Sequence, residues 1–185
     1  IRNLWLVCEE AQSRGNGARV VAGHCTAMHS YPDDVAAPLI ASVVEADVQV
    51  VTNPLDNIVL QGRGDGYPKR RGLTRVDELW EAGATVGIGH DSVVDPWYRL
   101  GTANMLDPAY MLVHAGHLTG EAEMERVFGT LHRENHLPFG DPPELVDGCE
   151  ANFLWFEAAN PIEALRTRSK PRVFHQGTEL KEMKS

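Results

Sequence analysis

Three short apolar runs in this chain end in side chains that can bind an ion or move a proton. Residues 85–91 read Thr-Val-Gly-Ile-Gly-His-Asp, a β-branched run that stops at His90 and Asp91. Residues 18–22 run into Gly23-His24, and residues 48–52 into Asn53-Pro54. Apolar strands of this kind lie inside parallel sheets, where charge belongs at the C-terminal mouth and catalytic groups are presented. A carboxylate there can hold a hard or borderline cation, and an imidazole beside it can orient or deprotonate water. Parallel neighbours would carry His24, Asn53 and His90-Asp91 to one rim, within reach of a single small ligand. Taken alone, Asp91 could equally be a helix N-cap.

The other candidates carry less. His29 has the position of a capping or packing residue, and His114 and His117 fall in a helical pattern, where a structural role is expected. His132, His136 and His175 have no companion residues that point to chemistry. Trp97, six residues beyond Asp91, could cover an aromatic ring by stacking or simply fill the core of its loop. Lys69-Arg70-Arg71 reads as a solvated face, while Gln61 and Arg63 are placed to fix loop geometry.

Positioning such a rim requires alternating helices and strands. The pattern predicts a helix over 3–13, a strand over 18–22, a helix over 38–46 and a strand over 48–52. A helix over 74–82 follows, with Thr74 as its N-cap, and leads to the Asp91 strand. Residues 54–72 show no sustained period and read as one long ordered loop at the site. Helices over 102–118 and 124–132, a loop over 138–148, strands over 151–156 and 172–175 around a short helix at 161–168, and a frayed tail from 179 complete the expectation. The order α-β-α-β-α-β implies an α/β fold with a parallel sheet.

Composition removes several function classes. The net charge of −9 opposes binding to phosphate backbones, so no nucleic-acid partner is expected. No apolar run approaches the roughly 20 residues of a membrane helix, and residues 1–7 do not read as a signal peptide. Three scattered cysteines without a CxxC pair argue against a disulfide framework or zinc ribbon and point to a reducing cytoplasm. The H-x-E and P-C-x-x-C pattern of base-editing zinc deaminases does not occur.

Several strings together resemble bacterial-type cytosine deaminase, a member of the amidohydrolase superfamily of metal-dependent (β/α)8 barrels. They are His24-Cys25-Thr26-Ala27-Met28-His29-Ser30-Tyr31, Asn53-Pro54-Leu55 with Asn57-Ile58, Leu60-Gln61-Gly62-Arg63, and Tyr67-Pro68-Lys69-Arg70-Arg71-Gly72. Gly89-His90-Asp91, Asp95-Pro96-Trp97-Tyr98 and Leu100-Gly101-Thr102-Ala103-Asn104-Met105 extend the match, which is dense over residues 15–120. The resemblance implies the C-terminal part of a TIM-type barrel, strands six to eight, in residues 1–148. Residues 149–185 would return to a small β-sandwich. It further implies that Asp91 is a metal ligand, that His24 activates the attacking water and that Trp97 walls the substrate pocket. The metal would be iron(II) or zinc, and water would displace ammonia from the ring carbon bearing the exocyclic amine. The expected substrate is an aminated pyrimidine-like ring, cytosine foremost, and the full-length enzyme would be a homo-oligomer.

Two departures qualify this. The acidic residue that the family places directly after the ligand Asp is Ser92 here, which leaves room for a related ring. The family's strand-one His-x-His, strand-five His, shuttle Glu and substrate Gln have no counterparts in the chain. One carboxylate cannot hold a catalytic metal tightly in water, so the isolated chain is expected to be inactive and poorly stable, with two open sheet edges. A hydrolase of another cyclic amide or amidine (isoguanine, creatinine or hydantoin type) and a non-catalytic barrel remnant remain as alternatives.

Overall fold

The structure, a computed structural model, describes residues 2–135, 140 and 144–181. The elements in chain order are α1 (Arg2–Arg14), β1 (Val21–Gly23), α2 (Asp33–Glu45), β2 (Gln49–Thr52), α3 (Pro54–Leu60), α4 (Val76–Glu81) and β3 (Val86–Ile88). There follow α5 (Leu106–Ala115), α6 (Glu121–Thr130), β4 (Phe153–Trp155), α7 (Pro161–Thr167), β5 (Arg172–His175) and β6 (Thr178–Leu180). Strands β1, β2 and β3 pair in that order, all parallel, with Gly23 opposite Val51 and Thr52 opposite Ile88. The α/β expectation therefore holds, and the mouths of the three strands are neighbours.

Sequence pattern accounts for these elements. In α2 the buried residues Ala36, Leu39, Ile40 and Val43 recur at helical spacing, and α5 repeats the device with Leu106, Ala109, Leu112 and Val113. These faces close over the sheet, where Val50 and Val86 are fully buried. Gln49 is also buried, and its Nε2 donates to the Ala18 carbonyl at 2.9 Å, so this amide N–H does not go unpaired.

Several boundaries differ from expectation for identifiable reasons. Helix α2 begins five residues before Pro38: Asp33 and Asp34 favour its first turn, and Pro38 lies inside the helix, where it takes one N–H out of the hydrogen bonding. Val21–Gly23 forms the strand and Gly17–Arg19 a 3-10 turn, because Gly17 packs its bare Cα against the Ala46 carbonyl. Residues 54–60 are helical, which corrects the reading of 54–72 as one loop: Pro54 occupies the first helical turn with Asp56 behind it. Thr74 is not the cap of α4. Arg75 stands there, and Thr74 uses its hydroxyl on the site instead.

Antiparallel β4, β5 and β6 form a second sheet. Strand β6 lies where a frayed tail was expected. Gln176 and Gly177, with φ of 48° and 75°, make a two-residue turn between the paired His175 and Thr178. Phe153 stacks on Phe174 at 4.6 Å and Arg172 pairs with Glu179 at 2.7 Å, which fixes the register across all three strands. Residues 136–139 and 141–143, which include His136 and part of the expected 138–148 loop, lie outside the described residues.

The expected open edge at β3 is covered at Ile88. Asn135 Oδ1 accepts from the Ile88 N–H at 2.7 Å and Asn135 Nδ2 donates to the Ile88 carbonyl at 2.8 Å. A carboxamide presents the same donor and acceptor as a peptide unit, so it replaces one rung of a neighbouring strand.

Candidate active site at the strand mouths

Beyond Gly23 and Ile88 the chain leaves the sheet in strained turns. His24, Cys25 and Asp91 have φ of 62°, 51° and 62°, a left-handed region that costs side-chain-bearing residues about 1 kcal/mol or more each. The neighbouring strands hold these turns in place. The His24 N–H donates to the Val51 carbonyl at 2.7 Å, and the Gly89 N–H to the Thr52 carbonyl at 2.8 Å. A buried hydroxyl relay pins His24 from below: Thr52 donates to Thr74 at 3.1 Å, and Thr74 donates to the His24 carbonyl.

This brings His24 and Asp91 together. His24 Nε2 lies 3.1 Å from Asp91 Oδ2, with side chains 46% and 33% exposed, open enough to meet a ligand yet partly shielded from water. The other ring nitrogen, Nδ1, lies 3.0 Å from the Asn57 carboxamide oxygen, so the imidazole is held at both ends. The N-cap alternative for Asp91 is set aside, since no helix starts there.

Ser92 sits beside this pair on a buried support. Its backbone N–H donates to Asp56 Oδ2 at 3.2 Å. Asp56 is 1% exposed, and burial raises its pKa, with the charges of Asp91 and Asp95 pushing the same way against the bonds from Ser92. Asp95 folds its own loop, its Oδ1 accepting from the Trp97 and Tyr98 N–H groups at 2.9 Å each. Tyr98 is buried as a result, whereas Trp97 is 63% exposed and is not a core residue.

The remaining candidates are placed apart. His90 is buried, its Nε2 accepting from the Thr102 N–H at 3.4 Å. Asn53 is buried at the start of α3. His29 bonds to Ser30 at 2.8 Å, and His114 to the Tyr110 carbonyl at 2.8 Å, as structural residues do. Arg63 fixes the loop after α3 by donating to the Val59 carbonyl at 2.9 Å. Arg70 is not merely solvated: it pairs with Asp65 at 2.6 Å and donates to Ser30 at 2.8 Å. Burial pushes the Cys25 thiol up to about 11, helped by Cys8, so it stays protonated at neutral pH and is no nucleophile.

Two site residues, Asp56 and Asn57, were missed from the sequence because they were assigned to irregular chain. The pair Asn53-Pro54 with an acid two residues later was the available signal of a helix start.

Known proteins of one family resemble this chain. The model of the Amidohydrolase family matches residues 7–132. A pterin deaminase of Rhizobium rhizogenes is 34% identical over 160 residues, spanning 86% of this chain and 37% of the relative. The crystal structure of 5-methylcytosine deaminase from Klebsiella pneumoniae liganded with 5-fluorocytosine superposes with a TM-score of 0.92 and 34% identity, covering 100% of this chain and 45% of that one. N-isopropylammelide isopropylaminohydrolase from Burkholderia multivorans shares the fold, with a TM-score of 0.75 and 21% identity over 95% of this chain and 42% of its own. The chain thus spans less than half the length of these relatives. The chain belongs to the amidohydrolase family.

Proposed function

We propose that this chain is the C-terminal part of a hydrolytic deaminase acting on an aminated heterocyclic base. The observation that carries the reading is the 3.1 Å approach of His24 Nε2 to Asp91 Oδ2 at the mouth of a parallel sheet. On this reading β1, β2 and β3 are strands six, seven and eight of the barrel within residues 1–148, and residues 149–185 belong to a β-sandwich. A homo-oligomer in the cytoplasm is part of the same proposal.

The donor chemistry fits a divalent ion such as iron(II) or zinc, since a partly exposed carboxylate faces an imidazole. Asp91 would hold it. Among the described residues no group of three His, Cys, Asp or Glu side chains is disposed to bind a metal, so further ligands would come from the part of the relatives that this chain does not span. Such an ion would supply Lewis-acid activation of water. His24 Nε2 accepts the proton that water gives up as it adds to the ring carbon bearing the amine. Asp91 Oδ2, facing the same nitrogen, stabilises the imidazolium that results. That proton passes to the ring nitrogen beside the carbon, the proton of the added hydroxyl goes to the amine, and the C–N bond breaks to release ammonia and leave the ring carbon as a carbonyl.

Trp97 stands exposed at the rim, where it can stack on the flat ring. Ser92 takes the place of an acidic side chain and leaves space beside the ring, so 5-substituted cytosines are substrates along with cytosine itself. The test is ammonia release by the full-length enzyme from cytosine, 5-methylcytosine, a pterin and an aminated triazine. Release from at least one, lost with His24→Ala, is expected. No release from any of them by metal-loaded enzyme would overturn the reading.

A further inference from the structure

The buried carboxamide of Asn57 has a cost that its packing does not explain. Asn57 is 1% exposed in the first turn of α3, and among the described residues its Nδ2 has no hydrogen-bond partner. Leaving such a donor unsatisfied costs about 1–3 kcal/mol, and an apolar residue of similar size would avoid it. Its Oδ1 makes the one side-chain bond recorded for Asn57, at 3.0 Å to His24 Nδ1, thirty-three residues away in sequence.

The bond has a chemical consequence. An amide oxygen only accepts, so Nδ1 must carry the ring proton. Nε2, 3.1 Å from Asp91 Oδ2, is then the nitrogen whose proton can come and go: with a proton it donates to that carboxylate, and without one it is the base. Turned over, the carboxamide would donate to Nδ1 and move the ring proton to Nε2, which removes the base from the side where the reaction occurs. The backbone beneath this carboxamide is fixed: the Asn57 N–H donates to the Asn53 carbonyl at 3.0 Å, and Pro54, Leu55 and Asp56 are buried beside it.

We propose that Asn57 is a positioning residue for His24, holding its Nδ1 proton and its ring plane so that Nε2 is the basic atom turned to Asp91. The inference rests on the reading of His24 as the base. It does not depend on which ring is deaminated.

The experiment uses the full-length, metal-loaded enzyme and four variants: Asn57→Leu, Asn57→Asp, His24→Ala and the double variant Asn57→Leu/His24→Ala. A positioned base is worth roughly 10²–10⁴-fold in rate, and losing its orientation forfeits part of that. Asn57→Leu should therefore lower kcat at least about tenfold with KM changed less than about threefold. Asn57→Asp, which keeps an acceptor at the same reach, should retain kcat within about fivefold. In the His24→Ala background Asn57→Leu should cost less than about twofold, because the residue it serves is gone. Wild-type kcat in Asn57→Leu, or an equal loss with and without His24, would overturn the positioning role. Wild-type kcat in His24→Ala would instead overturn the assignment of the base. Should Asn57→Leu fail to fold, Asn57→Ser, too short to reach the ring, takes its place with the same expected outcomes.

Discussion

A methyl group added at Gly101 should disable the site without unfolding the protein. A Cβ built there would lie 2.6 Å from the Ser92 carbonyl oxygen and 2.5 Å from Val93 Cα, with the Val93 carbonyl also in its path. Ordinary contacts are about 3.3 Å for C···O and about 3.5–4.0 Å for C···C, so the Ser92–Val93 backbone must retreat by about 1 Å. No side chain can swing aside to absorb this, because the obstructing atoms are backbone. The displaced segment begins one residue after Asp91, whose left-handed φ of 62° is already strained. A 1 Å misplacement of a reacting group costs on the order of 100-fold, and overpacking costs about 1–3 kcal/mol of stability. Gly101→Ala in the full-length enzyme should thus lose about 100-fold in kcat/KM while retaining a cooperative melt. Gly23→Ala is the matched control, since Gly23 precedes His24 and a Cβ there meets nothing within 4 Å. Wild-type kcat/KM in Gly101→Ala, or an equal loss in Gly23→Ala, would refute the reasoning.

Other outcomes follow from the same contacts. Asp56 has a raised pKa in the folded state, so its contribution to stability is full below the ordinary aspartate value of about 3.9 and is lost as pH rises through the folded value. Asp56→Asn should consequently gain on the wild type in urea melts as pH increases, and a wild type that instead gains on the variant would reverse the sign. Asp65, held at about 2 by Arg70, should show a carboxyl NMR titration near that value that moves back towards the normal range in Arg70→Ala. An unmoved midpoint would deny the pairing. Leu112, fully buried on the core face of α5, should cost about 2–5 kcal/mol when cut to alanine, measured by chemical denaturation. A loss below about 1 kcal/mol would mean that the core does not close over it.

The features written in local pattern were the legible ones. Runs of β-branched residues ending at His24, Thr52 and Asp91 marked the strands and their order, and β5 was placed at its observed bounds. The meeting of His24 with Asp91 followed from parallel neighbours sharing a mouth. Features that depend on tertiary contact were not legible. Thr74 looks like a cap but serves the carbonyl of a residue fifty positions away. Helix α3 is too short to show a period, which hid Asp56 and Asn57. Asn135 gave no sign that its carboxamide would close the edge of β3. Strand β6 was hidden because three residues, Thr178–Leu180, are too few to show a period, and its register comes from a turn and one ion pair.

The central claim is that Asp91 and His24 form the reacting rim of a metal-dependent deaminase. The most direct measurement is bound metal together with ammonia release for full-length Asp91→Ala beside the wild type. The account predicts reduced metal occupancy and ammonia release at background. A variant that keeps both its metal and its turnover would contradict it.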